Sequence, residues 1–372
     1  MISWNFKTYR PIGLDIGHNS IKMVQLAKND GRISVVAANK VHIDPVVEGD
    51  SEKRRKFIIS SLRRTVEEGG FYGRKVVSCL PSDKLGITSL RLAKSETDDI
   101  DKILRKEVEV RFGLDPDKDL INYIFAGTVR QGEEIKREYV LFAVNNEVIK
   151  EHIEILEEAK LRPVAIDTIP CALFRNYERL LKREDDRNHT EVFVDVGSQF
   201  TTVVFGRKGE ISFIKQIHVG GDKFNHQIAA KLGISVADAQ TLRGKLRRET
   251  GIKKSDLDAS TRQVMIDSIS SVSEELAREM SLCLKYYTVT FRGRRVQRVF
   301  LSGGESYEDI LLDILSKRFS SMGVEIEISQ PMRGFDLSKN KVGINLDSDR
   351  RGSLCEWTIA VGLGLNGWSF DN

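Results

Sequence analysis

Cysteine and proline are scarce in this chain of 372 residues, which has four cysteines and seven prolines. The cysteines are dispersed along the chain and form no Cys-x-x-Cys pair, at Cys79, Cys171, Cys283 and Cys355. This spacing argues against a disulfide framework or a zinc site and favours reduced thiols in a protein core. No apolar run reaches membrane-spanning length, and residues 1–11 lack the apolar segment of a signal peptide.

An excess of charge of one sign is also missing. The net charge is +4, from 58 basic and 54 acidic residues, which argues against a dedicated nucleic-acid-binding protein. The apolar fraction of 40% and the length predict two or more domains with true cores. The basic run at residues 242–254 is predicted to be a solvated helix end, because exposed charge runs usually carry no function.

The most informative segment present is residues 12–22, Ile-Gly-Leu-Asp-Ile-Gly-His-Asn-Ser-Ile-Lys. Its alternating apolar residues predict a strand that ends at Asp15, and a second apolar strand follows the polar turn. Gly17 can adopt backbone angles that a side chain would forbid. Residues 192–205 repeat this order, with Asp195 and Gly197 in the matching places, and a third strand is predicted after each hairpin.

Two such hairpins in matching contexts predict two related halves of the protein. Hairpins of this kind that face each other could bind a phosphate chain through backbone N–H groups, and Asp15 and Asp195 could hold a hydrated Mg²⁺. Two ordinary β-hairpins are the alternative interpretation, because a single Asp-x-Gly turn is common in β-proteins.

Two glycine pairs come before predicted helices. Gly220-Gly221 precedes a helix at residues 224–232, and Gly303-Gly304 separates an apolar strand from a helix at residues 309–319. Adjacent glycines let the backbone lie against a ring or a phosphate that a side chain would displace. A glycine-bearing apolar helix is predicted at residues 359–365, where the glycines would allow close packing on a neighbour.

The remaining periodicity predicts an α/β protein. Further strands are predicted at residues 75–80, 87–92, 120–126, 138–144 and 164–166. Further helices are predicted at residues 52–68, 96–112, 147–160, 172–181, 236–246 and 268–287. The polar segment at residues 182–189 is the predicted connector between domains.

The ordered set of these motifs resembles the superfamily of actin, sugar kinases and heat-shock-chaperone ATPases. The segments at residues 139–149 and 155–175 are most similar to the PilM family, the actin-like proteins of type IV pilus assembly. This resemblance covers nearly the whole chain. It implies an α/β, two-lobed actin-like ATPase fold, with duplicated ribonuclease-H-like domains and a small inserted α/β domain like that of the cell-division protein FtsA.

The resemblance also implies domain boundaries and a nucleotide site for ATP and Mg²⁺. The first lobe would take residues 1–40, 163–190 and 345–372, the inserted domain residues 41–162, and the second lobe residues 191–344. Asp15 and Asp195 would hold the metal through water, and Lys22 would reach the phosphates. The implied nucleotide-binding residues are Asp15, Gly17, His18, Asn19, Ser20, Lys22, Asp195, Gly197, Ser198, Gln199, Thr201, Gly220, Gly221, Arg243, Gly303, Gly304 and Glu305.

Several residues depart from the family pattern. His18 stands where a small residue is usual, Gln240 and Arg243 replace Glu and Lys, and Ser281 and Leu282 replace a pair of arginines. The segment after Gly304 also lacks the usual Pro-Gly. These departures weaken the expectation of tight binding and fast hydrolysis more than the expectation of the fold.

The expected function is that of a cytoplasmic ATP-binding scaffold at the inner membrane. Its expected partners are the short cytoplasmic tail of a PilN-type protein and other pilus platform and motor proteins; self-association stays open. Three alternatives also stay open. One is a small-molecule kinase with Asp167 as base, although Asp167 is more simply explained as a helix cap. Another is an FtsA-like filament protein, although residues 364–372 lack a membrane-binding helix. The last is a pseudo-ATPase.

Overall fold

The structure is a computed structural model of the chain. It describes residues 8–29, 32–44, 47, 49–93, 99–131, 134–179, 189–207, 209–248, 256–291, 296–338 and 354–367. Almost all of the predicted connector at residues 182–189 lies outside these ranges. None of the helices in the described ranges combines the length and apolar character needed to cross a bilayer.

Strands and helices match the sequence pattern closely. The strands are β1 Thr8–Ile16, β2 Ser20–Asn29, β3 Arg32–His42, β4 Lys75–Cys79, β5 Gly86–Ala93, β6 Leu120–Gln131, β7 Glu134–Val144, β8 Arg162–Asp167, β9 Thr190–Val196, β10 Thr201–Arg207, β11 Glu210–Ile217, β12 Val296–Ser302 and β13 Glu325–Ile328. The helices are α1 Ser51–Glu68, α2 Ile100–Phe112, α3 Asn146–Glu158, α4 Ile169–Glu178, α5 Gly221–Leu232, α6 Val236–Arg247, α7 Ala259–Thr290, α8 Asp309–Ser320 and α9 Thr358–Gly364. The predicted start of α2, at residue 96, lies outside the described residues.

The strands form two five-stranded sheets with the same topology. The first has the order β3-β2-β1-β4-β8 and the second the order β11-β10-β9-β12-β13. In each sheet three antiparallel strands are followed by two strands parallel to the first. The prediction of two related halves is therefore confirmed.

In both halves a serine hydroxyl bonds the carbonyl that comes just before the loop aspartate. Ser78 on β4 donates to the carbonyl of Leu14 at 3.1 Å, and Ser302 on β12 donates to the carbonyl of Val194 at 2.8 Å. Both acceptors directly precede the aspartate of a loop. The sheets therefore present Asp15 and Asp195 in matching ways.

The third sheet has three strands, in the order β5-β7-β6. We predicted that residues 75–80 would join this inserted module, and that prediction is wrong. Strand β4 pairs with β1 and β8 in the first sheet. The short apolar run could not show this, because its residues are buried in either sheet. The domain boundaries themselves stay a prediction.

Two helices that were assigned to the inserted module also pack on the first sheet. The apolar faces of α1 and α3, at Leu62 and Leu156, share one buried cluster with Ile12 and Val76. Helix α2 packs with the three-stranded sheet in a separate apolar cluster, through Leu104 and Val108. Helices α1 and α3 therefore share much of their apolar surface with the first sheet.

Close packing of α9 depends on glycine, as the sequence predicted. A Cβ on Gly13 would lie 2.1 Å from the carbonyl oxygen of Ala360, and one on Gly362 would lie 1.9 Å from that of Ala172. Because backbone atoms cannot move aside, only glycine allows α9 to lie between β1 and α4. This packing joins the end of the chain to the first sheet.

Candidate functional site

The loops after β1 and β9 have the same turn. The N–H of Gly17 donates to the carbonyl of Ser20, and that of Gly197 to the carbonyl of Phe200, both at 3.0 Å. Asp15 and Asp195 are the second-last residues of β1 and β9, two positions before these glycines. The two predicted hairpins thus share the same hydrogen bond within the turn.

The structure brings the two loops into direct contact. The side-chain amide of Asn19 donates to the hydroxyl of Ser198 at 2.8 Å, although 179 positions separate them. Ser198 in turn donates to Asp222 at 2.5 Å, and Nε2 of His18 lies 3.6 Å from the same carboxylate. The loops therefore meet between the two sheets, and this junction is called the cleft below.

One buried cation lies between the carboxylates of this cleft. Nζ of Lys22 lies 3.5 Å from Oδ2 of Asp15, and both side chains are about 10% exposed. Burial alone would lower the pKa of Lys22, but the charges of Asp15, Glu356 and Asp195 together raise it. Lys22 thus stays protonated and can neutralise anionic groups in the cleft.

Asp195 has an unusual proton affinity. The loss of water around its carboxylate, together with the negative charge of Asp15, raises its pKa to about 7, against the opposing effects of Lys22 and Ser302. Two carboxylates in one cleft do not both ionise easily without a further cation. The site is therefore short of positive charge at neutral pH.

Some residues that shape the cleft were missed from the sequence. Nη2 of Arg54 on α1 donates to the carbonyls of Gly17 at 3.0 Å and His18 at 2.9 Å, which fixes the first loop. Asp222 receives the bond from Ser198 described above. Asp222 stood next to a recognised glycine pair, which was a usable signal, whereas nothing in the sequence links Arg54 to the loop.

A buried cluster of four charges includes Arg243 and Glu305, two of the predicted nucleotide-binding residues. The guanidinium of Arg243 bonds Glu305 at 2.5 Å and Glu308 at 3.0 Å, and Arg247 bonds both acids as well. Arg243 also stacks on the ring of Phe224 at 4.3 Å. The structure thus brings Arg243 and Glu305 together as predicted, but each neutralises the other.

This cluster also corrects the interpretation of the basic run at residues 242–254. Within its described part, Arg243 is 3% exposed and belongs to the core, so the prediction of a fully solvated helix end is wrong. The sequence could not show this, because the partner acids lie about 60 positions away.

The glycines next to the cluster have different surroundings, so glycine is present at each position for a different reason. A Cβ on Gly221 would lie 2.3 Å from Oε1 of Glu305, and one on Gly220 would lie 2.4 Å from the carbonyl of Ser198. Gly303 has a φ of +93° and packs on the backbone of Val196. A Cβ on Gly304 would meet no atom within 4 Å. Of these glycines, Gly304 alone borders open space.

Two polar residues of the predicted site differ in their surroundings. Thr201 is fully buried, and its hydroxyl donates to the carbonyl of Val219 at 2.7 Å, so it supports the loop. Gln199 is exposed at the tip of the second loop.

The fold and the cleft can now be compared with known proteins. The profile of the type IV pilus assembly protein PilM family matches residues 13–368. The chain belongs to the PilM family. A solved PilM–PilN type IV pilus biogenesis complex contains a similar chain, with a TM-score of 0.74 and 19% identity over 96% of this chain and 98% of that one.

Other actin-like proteins resemble this PilM-family chain more distantly. The ethanolamine utilization protein EutJ of Carboxydothermus hydrogenoformans has a TM-score of 0.53 and 15% identity, covering 97% of this chain and 90% of that one. The cell division protein FtsA of Streptococcus pneumoniae is 22% identical over 253 residues, 62% of this chain. That alignment spans about half of FtsA, 54% of its length. The fold is thus the actin-like ATPase fold that the resemblance implied.

The kinase alternative required a free base at Asp167. In this PilM-family chain, Oδ2 of Asp167 lies 2.8 Å from the guanidinium of Arg175 and accepts from Asn366 at 3.0 Å. Asp167 is not the helix cap either, because Thr168 holds that position and accepts from the N–H of Cys171. The carboxylate is held in a structural network with Arg175 and Asn366.

The donors of the cleft fit a magnesium nucleotide better than a bare metal. Within the described ranges, no cluster of three or more His, Cys, Asp and Glu side chains could hold a metal ion. Mg²⁺ commonly takes one or two carboxylates, several waters and the phosphates of its nucleotide. Asp15 and Asp195 match that donor set only when phosphates complete it.

Proposed function

We propose that this PilM-family protein binds Mg·ATP between its two lobes and serves as a cytoplasmic scaffold for type IV pilus assembly. The observation that carries the proposal is the contact between two matching loops, each with an aspartate at its base, beside the buried cation of Lys22. A triphosphate with its Mg²⁺ would insert between Asn19 and Ser198 and would favour ionisation of both carboxylates.

Each side of the proposed site has its own role. The N–H groups and hydroxyls of the two loops would bind phosphate oxygens, and Lys22 would neutralise part of their charge. Asp15 and Asp195 would orient water molecules on the metal. The open space beside Gly304 would receive the nucleoside, with Gly221 and the Arg243–Glu305 pair as its wall. We expect any hydrolysis to be slow, because the chain departs from the family pattern at His18, Gln240 and Ser281.

The proposed partner is the short cytoplasmic tail of a PilN-type inner-membrane protein, which would place this protein at the cytoplasmic face of the membrane. The solved complex of a similar chain supports this choice. The three-stranded sheet has the edge strands β5 and β6, and Leu120 and Phe125 expose apolar surface along β6. An extended peptide can add to such an edge through main-chain hydrogen bonds.

Nucleotide and peptide would be coupled through the angle between the lobes. The inserted sheet contacts β11 of the second lobe, and Val129 of β6 belongs to the apolar core of that lobe. A nucleotide that favours one closure angle would therefore change the surface that the peptide meets.

The first experiment measures unfolding with and without Mg·ATP. ATP at about a hundred times its dissociation constant should stabilise the protein by roughly 2.7 kcal/mol. Asp15→Ala and Asp195→Ala should lose this stabilisation. Gly304→Leu should lose it too while leaving the unliganded protein folded, because the new side chain would enter open space. Gly244→Ala, on α6, is the control and should keep it, because the new methyl group would make only an ordinary contact with Arg248 at 3.6 Å.

A second experiment titrates a synthetic peptide of the PilN-type tail, with and without Mg·ATP. The scaffold proposal predicts binding in both states with different affinities. Equal affinities would contradict the coupling, and no peptide binding in either state would contradict the scaffold role even if ATP binds.

A further inference from the structure

A second concave site lies at the opposite end of the first sheet from Asp15. It is a cavity of about 480 Å³ lined by four cationic side chains and two tyrosines, Arg10, Arg74, Lys75, Arg162, Tyr9 and Tyr72. No acidic side chain is part of its lining. In the described part of the chain, no ion pair joins Arg74, Lys75 or Arg162 to a carboxylate.

The topology of the first sheet concentrates this charge. Strands β1, β4 and β8 are adjacent and parallel, so all three begin at the same end of the sheet. Lys75 is the first residue of β4 and pairs with Arg162, the first residue of β8. Arg74 lies one position earlier. Neighbouring side chains of like charge repel each other, modestly where they are exposed to water, as these are.

The second sheet avoids this repulsion at the matching positions. There, Arg298 on β12 lies between Glu191 on β9 and Glu325 on β13 in the strand register, and its guanidinium bonds Glu191 at 2.7 Å. In the first sheet the register Ile12–Val76 corresponds to Val192–Val299. The positions of Glu191, Arg298 and Glu325 in the second sheet therefore correspond to Pro11, Lys75 and Arg162 in the first.

The frame of the cavity is fixed by a buried amide. The side chain of Gln25, 1% exposed, donates to the carbonyls of Arg10 at 2.9 Å and Tyr72 at 2.8 Å and accepts from the N–H of Tyr72 at 2.7 Å. The rings of Tyr9 and Tyr72 stack with centroids 4.0 Å apart. The nitrogen and the oxygen of the Gln25 amide are both used in joining the segment at Arg10 to the segment at Tyr72. The cationic side chains therefore project from a preorganised wall.

We propose that this cavity binds a phosphate-bearing group. Several cations in one small cavity require a compact ligand with more than one negative charge or several acceptor oxygens, and arginine forks match phosphate oxygens in pairs. The volume exceeds that of a phosphate alone, so an attached glycerol or sugar would lie along the tyrosine rings. The proposal does not depend on ATP in the cleft.

The test compares two sources of phosphate on the full-length protein. One arm measures sedimentation with vesicles of phosphatidylglycerol and phosphatidylcholine against vesicles of phosphatidylcholine alone. The other arm titrates soluble glycerol 3-phosphate by calorimetry. Binding to anionic vesicles only assigns the site to a lipid headgroup, and binding of glycerol 3-phosphate assigns it to a soluble phosphate ester.

The variants decide whether the cavity is responsible. Arg74→Gln with Arg162→Gln should weaken binding about a hundredfold, because two charge-assisted hydrogen bonds are lost. Pro11→Glu, which adds the acid that the second sheet has, should weaken it at least tenfold. The matched control, Arg278→Gln with Lys285→Gln on the exposed face of α7, should change it less than twofold.

Three results would overturn the proposal. The first is the absence of binding in both arms. The second is equal binding by the cavity variants and the wild type, with circular dichroism showing all proteins folded. The third is binding of a Glu-rich peptide that neither phosphate probe displaces, which would assign the cavity to an acidic protein segment.

Discussion

The two related sheets differ most at the position that faces the loop aspartate. In the first half, Asp15 pairs with Lys22 across β1 and β2; in the second, Asp195 pairs with Thr202 across β9 and β10. The turns, the glycines and the supporting serines are otherwise alike. The backbone frame thus does not depend on the lysine, and the charge belongs to the chemistry of the cleft.

The halves also differ at the strand position two residues before the aspartate. Gly13 in β1 leaves room for α9, while the matching Phe193 in β9 fills that space and stacks on Tyr177 of α4 at 4.5 Å. The same strand position therefore serves close backbone packing in one half and aromatic packing in the other. Both solutions bury the centre of the sheet.

The largest effect should come from filling the glycine contact of the first half. Gly13→Ala would place a methyl group against a backbone oxygen, so we expect a loss of at least about 3 kcal/mol in the free energy of unfolding. Urea denaturation measures it. In the second half, Gly206→Ala would meet the ring of Phe174 at 2.2 Å, and a ring can turn aside. Its loss should be about 1–2 kcal/mol, and equal losses would contradict this reasoning.

A smaller effect should follow from removing the charge that distinguishes the two loops. Lys22→Met leaves two carboxylates together in the cleft, and we expect a loss of about 3 kcal/mol in unfolding free energy at pH 7.5. Adding Asp15→Asn should recover most of it. The counterpart in the second half, Thr202→Val, should cost under about 1 kcal/mol. Failure of Asp15→Asn to rescue Lys22→Met would show that packing, and not charge, is what Lys22 contributes.

The smallest effect should appear in the pH dependence of stability. The folded protein holds the Asp195 proton up to a pKa of about 7, whereas the unfolded chain releases it near 4. The folded state therefore binds more protons in this window, and stability falls as pH rises from about 4 to 7. We expect a fall of about 2 kcal/mol, since water reaches the cleft and reduces the full effect.

Denaturation at several pH values checks this prediction against Asp195→Asn, which should lack that fall. Asp15→Asn should shift the fall to lower pH, because the negative charge of Asp15 raises the pKa of Asp195. A profile of Asp195→Asn parallel to that of the wild type would show that another group titrates there.

The local sequence pattern was enough to predict most strands and helices and the presence of two related halves. Alternating apolar residues located β1, β2, β9 and β10 within a few positions, and the paired Asp-x-Gly turns indicated two halves before any contact was known. Pattern was not enough for β4, because a short buried strand has the same composition in either sheet. It also failed for Arg243, whose exposure depends on acids far along the chain.

The sequence by itself determined the strands, the glycine turns and the family, because these depend on residues that are neighbours in the chain. Only the tertiary structure decided that Asn19 meets Ser198, that Arg243 neutralises Glu305, and that Lys75 and Arg162 lie side by side. Each of these depends on distances between segments far apart in the chain. Electrostatic and hydrogen-bond energies depend on such distances, and a linear pattern does not contain them.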